Sequence, residues 1–374
     1  MNVVMIPSVE GGIGHISRTA TLARALKRLD PSVHVEYLFD SERMRPFNID
    51  VAQKIGFRVN LLPSRPREAR DSIVRACLSE ADLVVEDTQR YLIPIRRIVP
   101  QAAWVSIPLW PLFDELFMDW PHLAQTDAIL WAYAPFMGRP DELDIVADKV
   151  LPTGPFLELG DVPAKPDARA QLGFAPDEPV VVWAPRGFPF GPAFGHRVLA
   201  GVYGAIETLR AQGHPKMRLV LLAVSKPEEL KNIAGVPSDL PPWVSVVGVV
   251  TPAESLVYTQ AADAIIAEGT STMHEGAALG TPLVLVPGQI KETWLLGTRL
   301  GEEKAAWLRW IETVTPETLA ETFTEILTNE AERAARTERA CALVTGGGGV
   351  EAAARHVLEV VKRYQAGRPP APAA

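Results

Sequence analysis

The sequence predicts an α/β protein made of two domains, each a parallel sheet with helices packed against it. Three observations carry that expectation. Short apolar runs rich in β-branched residues alternate with helix-period segments, the pattern of repeated βαβ units. The series occurs twice along the chain, on either side of a stretch rich in Pro, Gly and Asp. At 374 residues the chain is also too long for one ordinary core.

In the first series, strands are expected at residues 3–6, 33–39, 58–62, 83–86, 103–107 and 128–131, with helices clearest at 17–29 and 67–81. The second series places strands at 180–183, 218–223, 244–247, 264–266 and 283–286. Residues 154–179 read as the linker leading into the second domain. The domains are therefore expected at 1–153 and 154–349, with a helix at 350–366 packing back toward the first and a disordered tail at 367–374. No repeat of 20–50 residues occurs beyond this doubling.

Composition excludes several classes. A net charge of −8 suggests no polyanionic partner, so nucleic acid is not expected. Cys77 and Cys341 are far apart and lack metal-ligand spacing, which fits a reducing compartment. No signal-peptide pattern opens the chain, and no apolar run approaches the roughly 20 residues of a membrane span. A cytoplasmic location is expected, with peripheral membrane contact left open.

Two loops carry the chemistry. The first follows strand one: Pro7-Ser8-Val9-Glu10-Gly11-Gly12-Ile13-Gly14-His15-Ile16-Ser17-Arg18. Glycines here let the backbone turn sharply and leave amides near a helix start free to face an anion. Gly12-x-Gly14 with Asp40 at the end of strand two partly matches a dinucleotide fingerprint, so a dehydrogenase is one reading. Against it, the third glycine is missing and the turn is long. His15 sits where α/β sheets build their sites and could accept a proton from an attacking hydroxyl; the plainer alternative is a structural histidine. Asp87, at another strand end, could orient His15 or act as a base itself, or be a turn aspartate.

The second loop lies in the run from Ala262 to Pro287, centred on Gly269-Thr270-Ser271-Thr272-Met273-His274-Glu275. It reads as a buried strand, a hydroxyl-rich turn, a helix, a Gly-x-Pro stop and another strand. Amides and hydroxyls at such a helix start suit a diphosphate. Glu275, about one turn in, could accept from two ribose hydroxyls. A capping box on Ser271 or Thr272 is the alternative, and both can hold.

The pattern D-x-x-I…G-x-x-T-x-x-E-G-A-x-x-G-x-P-x-x-x-x-P resembles the donor signature of GT-B glycosyltransferases, especially the MurG-like family 28. Gly12-Ile13-Gly14-His15 with Arg18 and Leu22-Ala23 is similar to the opening loop of the same relatives and of nucleotide-sugar hydrolases. The resemblance implies two Rossmann-like domains facing each other across a cleft, acceptor on the first and donor on the second. It implies donor contacts from Val249, Val250, Gly269, Thr270, Ser271, Thr272, Glu275, Glu292 and Thr293, to which Arg186 and Gly187, at the end of the first strand of the second domain, are added from their position. It also implies acceptor contacts from Gly12, Gly14 and Arg18, catalysis by His15, no metal and no cofactor beyond the sugar nucleotide, UDP- or dTDP-linked. No Asp-x-Asp triplet occurs, as in other members of that fold.

Departures are concentrated around the sugar. Where relatives carry E-Q-x-x-N, this chain has Glu292-Thr293-Trp294-Leu295-Leu296, and Glu268 stands beside the diphosphate loop. The Thr-Gly-Asn-Pro-Val-Arg of the relatives becomes Thr153-Gly154-Pro155-Phe156-Leu157-Glu158, without its arginine. Arg186 could compensate, or be a solvated loop residue. Hydrolysis or epimerisation of a nucleotide sugar, and a catalytically silent binding subunit, are the alternatives to transfer. Two further features read as packing and surface: the aromatic stripe Trp110, Phe113, Phe117, Trp120 as core, and Arg65, Arg67 and Arg70 as a solvated helix face.

Overall fold

The computed structural model describes residues 1–9, 13–40, 51, 53–54, 56–63, 67–88, 101–109, 120–185, 192–222, 230–231, 233–269, 271–288 and 291–367. The chain divides into two compact units, Met1–Leu157 with Gly346–Ala374, and Glu158–Thr345. The first unit thus extends a few residues past the expected boundary at 153 and takes up the chain again at Gly346, ahead of the expected 350.

Among the described residues, the first unit holds seven strands: β1 (Asn2–Pro7), β2 (His34–Asp40), β3 (Arg58–Leu62), β4 (Leu83–Asp87), β5 (Ala103–Ile107), β6 (Ala128–Trp131) and β7 (Val150–Pro152). They form one sheet in the order β3-β2-β1-β4-β5-β6-β7, with the neighbouring pairs parallel. Near-continuous apolar runs such as Val3-Val4-Met5-Ile6 and Leu83-Val84-Val85 are buried, as expected for parallel strands covered on both faces. Strand β7, unforeseen, is three residues long and ends in proline, too short for periodicity to reveal.

The chain runs outward from β1 through β2 to β3, then returns to lay β4 beside β1. The C-terminal ends of β1 and β4 therefore flank the point where winding reverses, where open α/β sheets gather their ligands. Helix α1 (Gly14–Leu29) leaves β1 there, three residues earlier than expected. Its apolar face, including Ile16, Ala20, Leu22, Ala23 and Leu26, is buried. Helix α2 (Arg67–Leu78) precedes β4 and short α3 (Trp120–Gln125) precedes β6.

The second unit repeats the scheme with β8 (Val180–Trp183), β9 (Arg218–Leu222), β10 (Val244–Gly248), β11 (Ala264–Ala267), β12 (Leu283–Leu285) and β13 (Trp307–Leu308). Their order is β10-β9-β8-β11-β12-β13, so winding reverses between β8 and β11. Two-residue β13 was also not foreseen. The helices are α4 (Lys165–Leu172), α5 (Pro192–Ala211), α6 (Pro252–Ala261), α7 (Ser271–Ala278), α8 (Lys291–Glu302), α9 (Pro316–Thr328) and α10 (Glu330–Val344). A core of Val181, Trp183, Val202, Ile206, Leu219, Leu221, Ile266 and Phe323 joins α5 and α9 to the sheet.

Residues 154–179 are more than a linker, because α4 forms within them. Arg169 of α4 is 6% exposed. It donates to the carbonyls of Ala261 (3.2 Å), Ala175 (3.0 Å) and Glu178, and to Asp263 Oδ2 (3.1 Å). Asp263 also accepts from the Val180 amide (2.8 Å) and Lys165 Nζ (2.8 Å). The carboxylate thereby fixes the starts of β8 and β11 together. Burial would raise its pKa, but Lys165 and Arg169 outweigh that and lower it.

Helix α11 (Gly349–Ala366) belongs to the first unit and packs on α1, with Arg28 paired to Glu351 at 2.7 Å. Glycine makes the approach to it possible. A side chain on Gly347 would stand 2.8 Å from the backbone of Thr153 and Gly154, and the Gly349 amide donates to the Thr153 carbonyl at 2.8 Å. The tail at 368–374, the aromatic positions Trp110, Phe113 and Phe117, the Trp120 side chain, Arg65 and the Arg67 side chain lie outside the described residues. Arg70 is not simply solvated: it lies 3.6 Å from Asp40 Oδ2. The acid considered for a dinucleotide ribose is thus in an ion pair.

Candidate active site

At the first winding reversal, β1 and β4 run in register, with Pro7 opposite Asp87. Asp87 ends β4 and is fully buried. His15 and Arg18 lie three residues apart on the first turns of α1, one face of the helix, and both reach this carboxylate. His15 Nδ1 is 2.8 Å from Asp87 Oδ1; Arg18 donates through Nη2 to Oδ1 (2.6 Å) and through Nε to Oδ2 (2.8 Å). Thr88 Oγ1 donates to Oδ1 at 3.0 Å. Thr88 itself has φ 60, a conformation a β-branched residue rarely adopts.

Burial alone would push the Asp87 carboxyl up. The charges of Arg18 and His15, with their hydrogen bonds, override it and hold the group well below the usual carboxylate range. An ionised Asp87 can only accept, so the proton between it and the ring belongs to His15 Nδ1. In the neutral ring Nε2 then keeps its lone pair. The arrangement can therefore orient a base of fixed tautomer, with the ring 11% exposed and the carboxylate sealed. Beneath it, Thr19 Oγ1 donates to the His15 carbonyl at 2.9 Å and accepts from Tyr37 Oη at 3.3 Å, anchoring the helix start to β2. Gly14 opens α1; Gly12 lies outside the described residues.

At the second reversal, β11 leads through Glu268 and Gly269 into α7. Gly269 has φ +99, and a Cβ there would stand 3.0 Å from the Thr293 carbonyl. Glycine is thus required twice over, by the turn and by the close approach of α8. Ser271 and Thr272 form the half-buried first turn of α7, while Met273 and His274 point into the unit. Thr270, Arg186 and Gly187 lie outside the described residues.

Glu275 is half-buried, and its carboxyl accepts from Ser255 Oγ of α6 at 3.4 Å. It therefore reaches across to a neighbouring helix. Burial pushes its pKa up to about 7, against a small lowering from Ser255. Val249 and Val250 are half-buried between β10 and α6, whose start is fixed by the Thr251–Glu254 capping box and Pro252. Glu292 is buried, and fully buried Thr293 donates to the Gly288 carbonyl at 3.1 Å. The Glu268 carboxyl lies against Gly288, where an added Cβ would meet Oε2 at 2.8 Å. Trp294 is 49% exposed, its ring 6.3 Å from that of Trp310.

The fold thus gathers His15, Arg18 and Asp87 in one unit. In the other, Glu275 approaches α6 while Gly269 and Thr293 meet. Thr88 and Ser255 escaped the sequence reading, because a single hydroxyl outside any spacing pattern gives no signal until topology supplies its neighbour. Among the described residues, no cluster of three His, Cys, Asp or Glu side chains forms a metal-binding group, and no helix is long and apolar enough to cross a membrane.

No family model matches the chain. A curated relative from Mycolicibacterium vanbaalenii is 27% identical, aligned over 94% of this chain and 89% of its own. It is a UDP-N-acetylglucosamine--N-acetylmuramyl-(pentapeptide) pyrophosphoryl-undecaprenol N-acetylglucosamine transferase. Among solved structures, the spinosyn forosaminyltransferase SpnP superposes with a TM-score of 0.66 at 14% identity, over 97% of this chain and 99% of that one. A putative UDP-N-acetylglucosamine 2-epimerase from Listeria monocytogenes gives 0.65 at 12% identity, over 100% and 99%. Two parallel sheets, and a likeness running nearly the whole length of both chains, give this protein the GT-B fold and make it similar to a MurG-type N-acetylglucosamine transferase.

Proposed function

We propose that the chain moves a sugar from a nucleoside-diphosphate sugar to the hydroxyl of a small or lipid-like acceptor, by direct displacement and without a metal ion. The observation that carries this reading is the buried Asp87 holding His15 by Nδ1 at 2.8 Å, which leaves Nε2 as the proton acceptor. In the step, His15 takes the acceptor proton as the acceptor oxygen bonds the anomeric carbon. The bond to the diphosphate breaks, and the nucleoside diphosphate leaves with the electron pair. A single displacement inverts the anomeric centre.

The donor side rests on the turn after β11. Glu275 binds the ribose hydroxyls, the amides opening α7 face the diphosphate, and Val249 and Val250 offer backbone to the base. The name of the Mycolicibacterium relative favours UDP over dTDP. Calorimetry with UDP-sugars on the wild type and Glu275→Ala tests the donor half. A loss of affinity of at least tenfold is expected, since an acceptor of two hydroxyls would be removed. Equal affinity removes Glu275 from the site. Nucleotide release without acceptor, with free or epimerised sugar as product, would replace transfer by hydrolysis or epimerisation.

A further inference from the structure

The same geometry gives Arg18 a task that contact with an acceptor does not explain. Its Nε and Nη2 both face Asp87, at 2.8 and 2.6 Å, and its side chain is only 17% exposed. Nη2 also stands 3.4 Å from His15 Nδ1. Since Nδ1 carries a proton toward Asp87, that approach is between two donors, and so is a repulsion between Arg18 and a protonated ring. We propose that Arg18 is a positioning residue for His15: gripping both Asp87 oxygens, it aims one at Nδ1 and offsets the carboxylate charge that would otherwise hold the ring protonated. This rests on His15 being the proton acceptor of the reaction.

The charge arithmetic is local. Asp87 carries −1 and Arg18 +1, so a neutral His15 completes a neutral triad. Without Arg18, a buried anion would face the ring alone, and an anion at hydrogen-bond distance favours imidazolium. From β2, Tyr37 also feels the Asp87 charge, and its phenol is held neutral by burial, with Arg24 of α1 pulling the other way. Just past β4, the uncharged Thr88 hydroxyl also donates to Asp87. A ring that binds its proton more tightly is less often free to accept one from an acceptor hydroxyl. A structural arginine would affect stability and leave the ring titration unmoved.

The experiment is a nuclear magnetic resonance titration of the full chain with labelled histidine, the His15 signal being assigned by its loss in His15→Gln. In the wild type, Nδ1–H is expected as the tautomer. Arg18→Gln is expected to raise the His15 pKa by about one unit, roughly tenfold tighter proton binding. The acidic limb of kcat/KM should move up equally, with little change in acceptor KM. Arg18→Lys, whose single ammonium cannot match both oxygens, is expected to show a mixture of tautomers. It carries the test if the glutamine variant does not fold.

A folded Arg18→Gln with unmoved His15 titration, or an Arg18→Lys with unchanged tautomer and titration, overturns the proposal. So does a raised acceptor KM with an unmoved acidic limb, which would make Arg18 an acceptor contact. If the ring titration moves while the limb does not, Arg18 keeps its role and His15 loses its place as base.

Discussion

Nucleotide-sugar binding should tighten with pH, and the size of the effect follows from Glu275. Its carboxyl, pushed up to about 7 by burial, is largely protonated in the free protein near pH 6. Two ribose hydroxyls donating to it need the ionised form. Below about pH 7, binding must therefore release a proton, and affinity should change close to tenfold per unit. Between about pH 6 and 8 the ionised fraction rises roughly tenfold, then levels off, so Kd should fall by about that factor. An intact UDP-sugar is the appropriate ligand, because its diphosphate has no proton to lose in this range. Calorimetry in buffers of different ionisation enthalpy measures both Kd and the proton released.

The same group makes a second, opposite-signed contribution. With its folded pKa raised, the native state keeps a proton that the unfolded chain has lost between about 4.5 and 7. Stability of the unliganded protein should fall as pH rises through that window, by at most about 3 kcal/mol. Residual solvent screening of a half-buried carboxyl makes it less. Glu275→Gln should flatten both profiles while weakening the nucleotide sugar. A wild-type Kd unchanged between pH 6 and 8, with no proton released, would refute the ribose assignment.

Other substitutions report on the scaffold. Gly269→Ala should lower stability by about 1–3 kcal/mol, because φ +99 and the Thr293 carbonyl at 3.0 Å both oppose a Cβ; an unchanged melting temperature would show that the turn relaxes. Asp263→Ala should cost about 3–5 kcal/mol in denaturant unfolding, since it strips buried Arg169 of its charge partner. Asp87, with its pKa depressed, stabilises the native state above the unfolded value near 3.9, and that contribution is lost as pH falls through the folded pKa. Asp87→Asn should therefore lose part of the acid-side slope of stability, as read by unfolding between about pH 2 and 5.

Strand positions were largely legible because parallel, doubly covered strands read as apolar runs. Residues 58–62, 103–107, 128–131 and 180–183 match the observed elements end to end. Strands β7 and β13 were hidden by their length, and α4 by the prolines and glycine around it, which read as breakers although Pro166 starts the helix and Gly173 ends it. His15, Asp87 and Glu275 could be nominated from their places at strand and helix ends. That His15 and Asp87 meet could not, since β4 lies next to β1 only through the winding reversal. Nor could the partner choices of Arg18 and Asp40, because side-chain pairing between elements leaves no spacing in one sequence. Thr293, read as a sugar contact, is a buried support under Gly269 as well, a role set by how closely α8 approaches.

Transfer of the sugar to an acceptor is read directly by product analysis with mass spectrometry. The protein would be given the UDP- or dTDP-sugar that binds it, with a lipid-linked muropeptide of the kind named for the Mycolicibacterium relative and a set of small alcohols and phenols. Sugar on an acceptor hydroxyl and one nucleoside diphosphate released per glycoside are expected. His15→Ala should cut that turnover by a factor of about 10² to 10⁴ while leaving donor binding intact. Free sugar or an epimerised nucleotide sugar formed without acceptor, or turnover indifferent to His15→Ala, would contradict it.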